Sequence, residues 1–406
     1  MSCVACKNPI FHSIYDFGSI PLVNNFTKNH INAKKKYRLD IVYCGRCYLV
    51  QIRKNVNPKI LFKDYKHISS GSNVNVQHLE SISKLGLNLK SSNILEIGSN
   101  DNSLLKNFSN NNKILCGVDP SIKKNLKGKN VYLYKEFFNY KLSNKLRNKF
   151  ESFNLIFAIN VIPHVKNLEE VIKGVSNLLD KKGLFIMEGV YLLNNIQKGY
   201  FDTFYHEHVS TFSLFSLNKL LKKYNLKIVK VKLLTTQGGS FRAHITHINN
   251  NYKISSNTKV LFKKELKLGL NKKNYYKKLK SVLNKKIKNL KFQINKRILR
   301  IKLNNKKIIA LGAPARGVVI TNVLNATKLI DHYIDDSTTK LNTFFPGTNV
   351  KVINWKNKNI LDCEYFILLS WNYEKEIIRK LLQYKKTDFY LIKIFPKFQI
   401  KHFRND

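Results

Sequence analysis

The chain has 406 residues, too many for one ordinary domain, so two or three are expected. Its 43% apolar content is enough to bury full cores, while no apolar run approaches the ~18 residues a membrane helix needs. A net charge of +47 suggests nucleic acid or an anionic surface, but lysine supplies most of it, asparagine is abundant throughout and arginine is scarce, as in an AT-rich genome.

Residues 1–62 hold four of the six cysteines, with strand-like runs at 36–42 and 48–52. Cys3-x2-Cys6 and Cys44-x2-Cys47 have the spacing that lets both thiolates of each pair reach one tetrahedral zinc. Four thiolates close the coordination, so this metal is expected to be structural. Disulfides are the alternative, but the first residues lack the basic stretch and apolar run of a secretory signal. A cytoplasmic location follows as the expectation.

A polar linker spans 64–75, and from residue 91 strands alternate with helices. Strands are expected at 93–97, 113–118, 154–159 and 183–188. Leu168, Val171, Ile172, Val175, Leu178 and Leu179 share one helical face between the last two. This alternation predicts a doubly wound parallel sheet. Its first turn, Glu96-Ile97-Gly98-Ser99-Asn100-Asp101, ends a strand and opens toward a polar ligand. Asp119 ends the next strand, where a carboxylate accepts both ribose hydroxyls of a nucleotide. The three-glycine phosphate cradle is missing, so a pyrophosphate cofactor fits poorly here. Cys116 and Cys363 lie in apolar runs and read as core.

Residues 257–305 have a helical period and a very basic surface. Leu279, Val282, Leu283, Ile287, Leu290, Ile294, Ile298 and Ile301 form one apolar stripe, expected to pack on the sheet domains. A second α/β unit follows, with strands at 307–311, 332–334, 365–369 and 389–394 and a helix at 318–324. Its Gly312-Ala313-Pro314-Ala315-Arg316-Gly317 turn either presents Arg316 as a fork to a diphosphate or is a tight turn without a ligand. Gly238-Gly239-Ser240 lets backbone approach either a ligand or a neighbouring domain.

Taken in order, these segments resemble the sugar C-methyltransferases that act on dTDP-linked keto-deoxysugars. The matching residues are the four cysteines, Glu96 to Asp101, Asn160-Val161-Ile162-Pro163-His164, Tyr205 to Ser213 and Gly238 to Arg242. They continue through Gly312 to Gly317, Asp335-Asp336, Phe345-Pro346-Gly347-Thr348 and Ser370-Trp371-Asn372. One departure is Asn102, where the family usually has glycine; asparagine tolerates positive φ better than most residues.

The resemblance implies three parts: a zinc-binding domain at 1–62, a Rossmann-like methyltransferase domain at 63–250 and a second Rossmann-like domain at 251–406. S-adenosylmethionine would lie on Glu96, Gly98, Ser99, Asn100, Asp101, Asp119 and Asn160, with a nucleotide-linked sugar between the two α/β units. C-methylation beside a ketone needs a base, and histidine titrates in the right range. The resemblance makes His208 that base, assisted by Glu207 as an orienting carboxylate, by Tyr205 and by His164; Tyr65 matches an active-site tyrosine, although the second tyrosine of its pattern is here His67. From the residues alone, the Tyr-His-Glu-His cluster also reads as a hydrogen-bonded loop or a metal site. A monomer without nucleic acid is expected; the competing reading is a zinc-containing nucleic-acid-binding protein or nucleic-acid methyltransferase.

Overall fold

The computed structural model describes residues 2–61, 69–71, 73–85, 93–108, 114–357 and 359–404. Near the N-terminus, β1 (Phe11–Pro21), β2 (Lys36–Cys44) and β3 (Val50–Ile52) form an antiparallel meander. The long first strand is absent from the expected runs because two register shifts, at Ser13/Tyr15 and Asp16/Ser19, break its alternation. The expected run at 48–52 starts late because Tyr48 takes φ 60° where the second cysteine pair closes. A fourth strand, Ser210–Thr211, reaches this sheet from far along the chain and pairs with β3.

The central sheet contains β4 (Asn93–Ile97), β5 (Ile114–Val118), β6 (Leu126–Lys127), β7 (Val131–Tyr134), β8 (Phe153–Ile159) and β9 (Leu179–Val190). With Ser210–Thr211 counted as β10, it is completed by β11 (Leu226–Leu234) and β12 (Ser240–His247). The order is β11-β12-β9-β8-β4-β5-β7-β6, and the four expected strands lie side by side and parallel. Strand order reverses at β4, with β5 added on one side and β8 on the other, so the crevice at its carboxyl end is the topological switch point where doubly wound sheets take ligands. The helix Leu168–Leu178 covers one face, burying Leu168, Val171, Ile172, Val175 and Leu178.

The basic helical region is broken. Gly269, at φ 86°, ends the helix Ser256–Leu268, and a longer one runs Lys273–Gln293, continuing through a wide turn at Ile294–Ile298. Leu279, Leu283, Ile287, Leu290, Ile294 and Ile298 are buried as expected, but Val282 is 43% exposed. Spacings of three and four hold the seam over this length, and Val282 falls one residue to its side. Glu265 of the first helix is fully buried against the central domain: its carboxylate accepts from Tyr191 Oη and from the backbone N–H groups of Leu214 and Phe215, each at 2.8 Å. Tyr276 of the second helix stacks on Tyr43, and its hydroxyl sits between the Leu270 and Tyr48 carbonyls at 2.8 and 3.1 Å, setting that helix against the cysteine module.

The last sheet has β13 (Ile308–Leu311), β14 (His332–Ile334), β15 (Val352–Ile353), β16 (Tyr365–Leu368), β17 (Phe389–Lys393) and β18 (Gln399–Phe403), in the order β15-β14-β13-β16-β17-β18. It is parallel except at β18, and β13 stands at its switch point. Among the described residues, no helix is long and apolar enough to cross a membrane. Replacing Glu265 by alanine leaves three inward donors without their acceptor. The expected cost is about 2–4 kcal/mol, read as a lower urea midpoint at unchanged slope.

Candidate active site

The two cysteine pairs sit on matching turns. Lys7 N–H donates to the Cys3 carbonyl and Tyr48 N–H to the Cys44 carbonyl, and Lys7 and Tyr48 both take positive φ. The four sulfurs lie within 4.8 Å of one another, with Cys3–Cys47 at 3.6 Å and Cys6–Cys44 at 3.5 Å. Zn–S bonds of ~2.3 Å place tetrahedral sulfurs about 3.8 Å apart, so the cluster fits zinc closed by four thiolates.

At the switch point of the central sheet, Gly98 takes φ 76°, and a Cβ there would lie 2.2 Å from the Val161 side chain. That contact lets the loop after β8 close over the turn after β4. Asn100, Asn102 and Asn160 also take positive φ, so Asn102 supports the backbone that glycine would. Asp119 accepts from Asn100 N–H through one oxygen and from Ser121 N–H through the other, at 3.0 and 2.7 Å. The Ser121 hydroxyl also donates to the second of these oxygens, at 2.6 Å, so the lone pair left for a nucleoside hydroxyl is on the oxygen facing Asn100. Within the turn, Ser99 Oγ, Asn102 Oδ1 and Glu96 Oε2 are buried without a protein partner among the described residues. Burial, and then the charges of Asp119 and Asp101, push the Glu96 carboxyl well above its usual range. A hydrogen-bonding nucleoside fits this set of donors and acceptors. Ser69 and Ser70 cap the turn from the other side, donating backbone N–H groups to Asn100 and Asp101.

From Asn160 the chain enters the short turn Ile162–His164, which brings the His164 ring 4.9 Å from that of His208. His208 Nδ1 is 2.7 Å from the Thr203 carbonyl and Nε2 is 2.8 Å from Tyr205 Oη. A carbonyl only accepts, so Nδ1 carries the proton; Nε2 keeps its lone pair and receives the Tyr205 hydroxyl. Burial, then the facing His164, and also Arg316, hold the His208 pKa well below its ordinary value. This ring is neutral and basic at one nitrogen.

Glu207 does not orient it. Its carboxylate turns away and accepts the Asn24 side-chain amide at both oxygens, 2.8 and 2.9 Å, and burial pushes its pKa up to about 7. His206 points the same way, donating from Nε2 to the Tyr37 carbonyl. The motif is a turn closed by His208 N–H on the Tyr205 carbonyl, which brings Tyr205 and His208 together and leaves the two residues between them on the cysteine module. Tyr65 and His67 lie outside the described residues.

For Arg316, where the sequence left two readings open, the fork grips Asp202 in two bonds of 2.7 and 2.8 Å. Gly238 packs against that guanidinium, and a Cβ there would lie 2.6 Å from Nη1, so Gly238 admits the neighbouring domain, while Gly239 packs against Asn194. Sequence reasoning also missed a buried ion network in which Glu188 accepts from Arg242 Nε at 2.5 Å and His78 Nε2 at 2.7 Å. A glutamate inside the apolar run of β9 was the available signal.

Three family descriptions match successive stretches: a zinc binding domain at residues 3–62, a methyltransferase domain at 72–231 and a C-methyltransferase C-terminal domain at 235–396. C-methyltransferase NovU of Streptomyces niveus is 26% identical over 388 residues, covering 93% of this chain and 91% of NovU. Among solved structures, magnesium protoporphyrin IX methyltransferase of Synechocystis PCC 6803 with bound SAM is 12% identical at a TM-score of 0.35, covering 48% of this chain and 99% of its own. N-methyltransferase NodS of Bradyrhizobium japonicum WM9 is 13% identical at 0.34, covering 47% and 97%.

One zinc per chain is expected by metal analysis of protein purified without chelator. Cys44→Ser should lose it and raise amide exchange across β3 and its partner β10, two residues after His208.

Proposed function

We propose that the chain is a C-methyltransferase of the kind these three modules compose, and that it methylates the carbon beside the ketone of a keto-deoxysugar carried on deoxythymidine diphosphate. It is an S-adenosylmethionine-dependent enzyme with a structural zinc. The observation that carries the reading of the reaction is the neutral His208, fixed at Nδ1 by a carbonyl and basic at Nε2.

Bound at the Gly98 turn, S-adenosylmethionine supplies an electrophilic methyl group. Glu96, Gly98, Ser99, Asn100, Asp101, Asp119 and Asn160 would hold it there. His208 Nε2 takes the proton from the carbon beside the ketone. Thr203 then faces an imidazolium, and its hydrogen bond from Nδ1 strengthens as the charge forms. The Tyr205 hydroxyl, released from Nε2, donates to the ketone oxygen as negative charge gathers on it. His164 borders the same space and keeps the resting His208 uncharged. Glu207 anchors the loop to Asn24.

His208→Asn should abolish deuterium exchange at the carbon beside the ketone, a step that needs no methyl donor, while leaving S-adenosylmethionine affinity unchanged. Methyl transfer should fall ~10²–10⁴-fold, mainly in kcat. Near-normal exchange in this variant would remove His208 from the mechanism.

The pH profile gives a second check. His208 acts as a base only when neutral, and its pKa is depressed, so the acidic limb of kcat should lie below the ordinary imidazole range. Removing the neighbouring ring in His164→Asn lifts one cause of the depression and should move that limb to higher pH.

A further inference from the structure

The two α/β units carry the same turn. In the central sheet, Asp119 ends β5 and accepts from Asn100 N–H and Ser121 N–H. In the last sheet, Asp335 follows β14 and accepts from Ala313 N–H at 2.8 Å and Ser337 N–H at 2.9 Å. Both turns stand at a switch point, where such folds take ligands. The second one is filled from within. Lys340 Nζ lies 3.3 and 3.4 Å from the Asp335 oxygens and 3.0 Å from the Ala313 carbonyl. Beside it, Arg316 in the first turn of the helix Ala315–Val323 holds the Asp202 carboxylate of the central domain.

That carboxylate is fully buried and accepts a third bond, from Trp371 Nε1 at 3.0 Å. The guanidinium lies 4.7 Å from the Trp371 ring centroid. Asp202 is next to Thr203, whose carbonyl holds His208 Nδ1. We infer that Arg316 is a positioning residue: the C-terminal domain grips Asp202 at the head of its own ligand crevice and thereby fixes the loop carrying His208. The inference rests on the reading of His208 as the base.

The test uses Arg316→Ala, Arg316→Lys and Asp202→Asn in the full chain, with the neutral Asn keeping an acceptor for Trp371. Amide hydrogen exchange over residues 200–209 should rise at least tenfold in Arg316→Ala and Asp202→Asn. Affinity for deoxythymidine diphosphate, measured by calorimetry, should stay within twofold. Turnover on a deoxythymidine-diphosphate-linked keto-deoxysugar should fall at least tenfold at unchanged KM. Arg316→Lys keeps the charge but not the fork and should recover part of the turnover.

Lost nucleotide affinity with unchanged loop exchange would overturn the inference and return Arg316 to diphosphate binding. Unchanged exchange and turnover would overturn it as well. If Arg316→Ala fails to fold, Asp202→Asn and Trp371→Phe carry the same comparison. Loop exchange reads the grip without any chemistry, so a failure of the grip is distinguished from a failure of His208 as the base, which His208→Asn reads.

Discussion

Between Asp202 and Thr211 successive residues answer to different parts of the chain. Asp202 goes to Arg316 of the last domain, His206 to the Tyr37 carbonyl and Glu207 to Asn24 of the cysteine module. Ile52 N–H donates to the Val209 carbonyl, and Ser210 and Thr211 pair with β3. Ordering such a segment costs roughly 1–2 kcal/mol per residue in backbone entropy, which a loop with few contacts of its own does not recover. Anchors from both sides supply the difference, and His208 lies between them. Zinc far from the chemistry therefore bears on it, because the metal-bound turns fix β2 and β3, and β3 fixes β10.

This arrangement decides what could be read from the sequence. The strands 93–97 and 332–334 and the helix beginning at Leu168 were legible because a buried parallel strand is an apolar run and a packed helix repeats every three or four residues. The cysteine pairs were legible because zinc geometry dictates their spacing. Asn102 kept the turn legible despite replacing glycine, since its φ of 62° is one asparagine accepts. The partner of Glu207 was not legible. Asn24 is 183 residues away in sequence, and the carboxylate's nearest neighbour in the chain, His208, was the wrong guess. Pairing across such a distance is set by how the modules dock, and local pattern carries no trace of it.

Arg316 shows the same limit from the other side. Glycine, proline and arginine at a strand–helix turn are what an anion site would use, and the residues do bind an anion. It is a carboxylate of the same chain, 114 residues earlier. Gly238 was the residue that could have pointed there, because a glycine needed for space implies something bulky against it, and that something is the guanidinium.

The same pairings bear on the charge of +47. A surface built to hold a polyanion would offer arginine forks to it. Here Arg242 and Arg316 are buried on Glu188 and Asp202, while Arg38 and Arg53 pair with Asp16 and Asp40. Along the helix Lys273–Gln293 the buried positions are Tyr276, Leu279, Leu283, Ile287 and Leu290, and exposed lysines such as Lys277, Lys280 and Lys288 lie between them. Arg242 and Arg316 thus close internal contacts with a planar fork, while Arg46, Arg147, Arg297 and Arg300 lie exposed among the lysines. The excess charge is therefore carried mainly by exposed lysine, the pattern that drift toward lysine codons leaves on a surface.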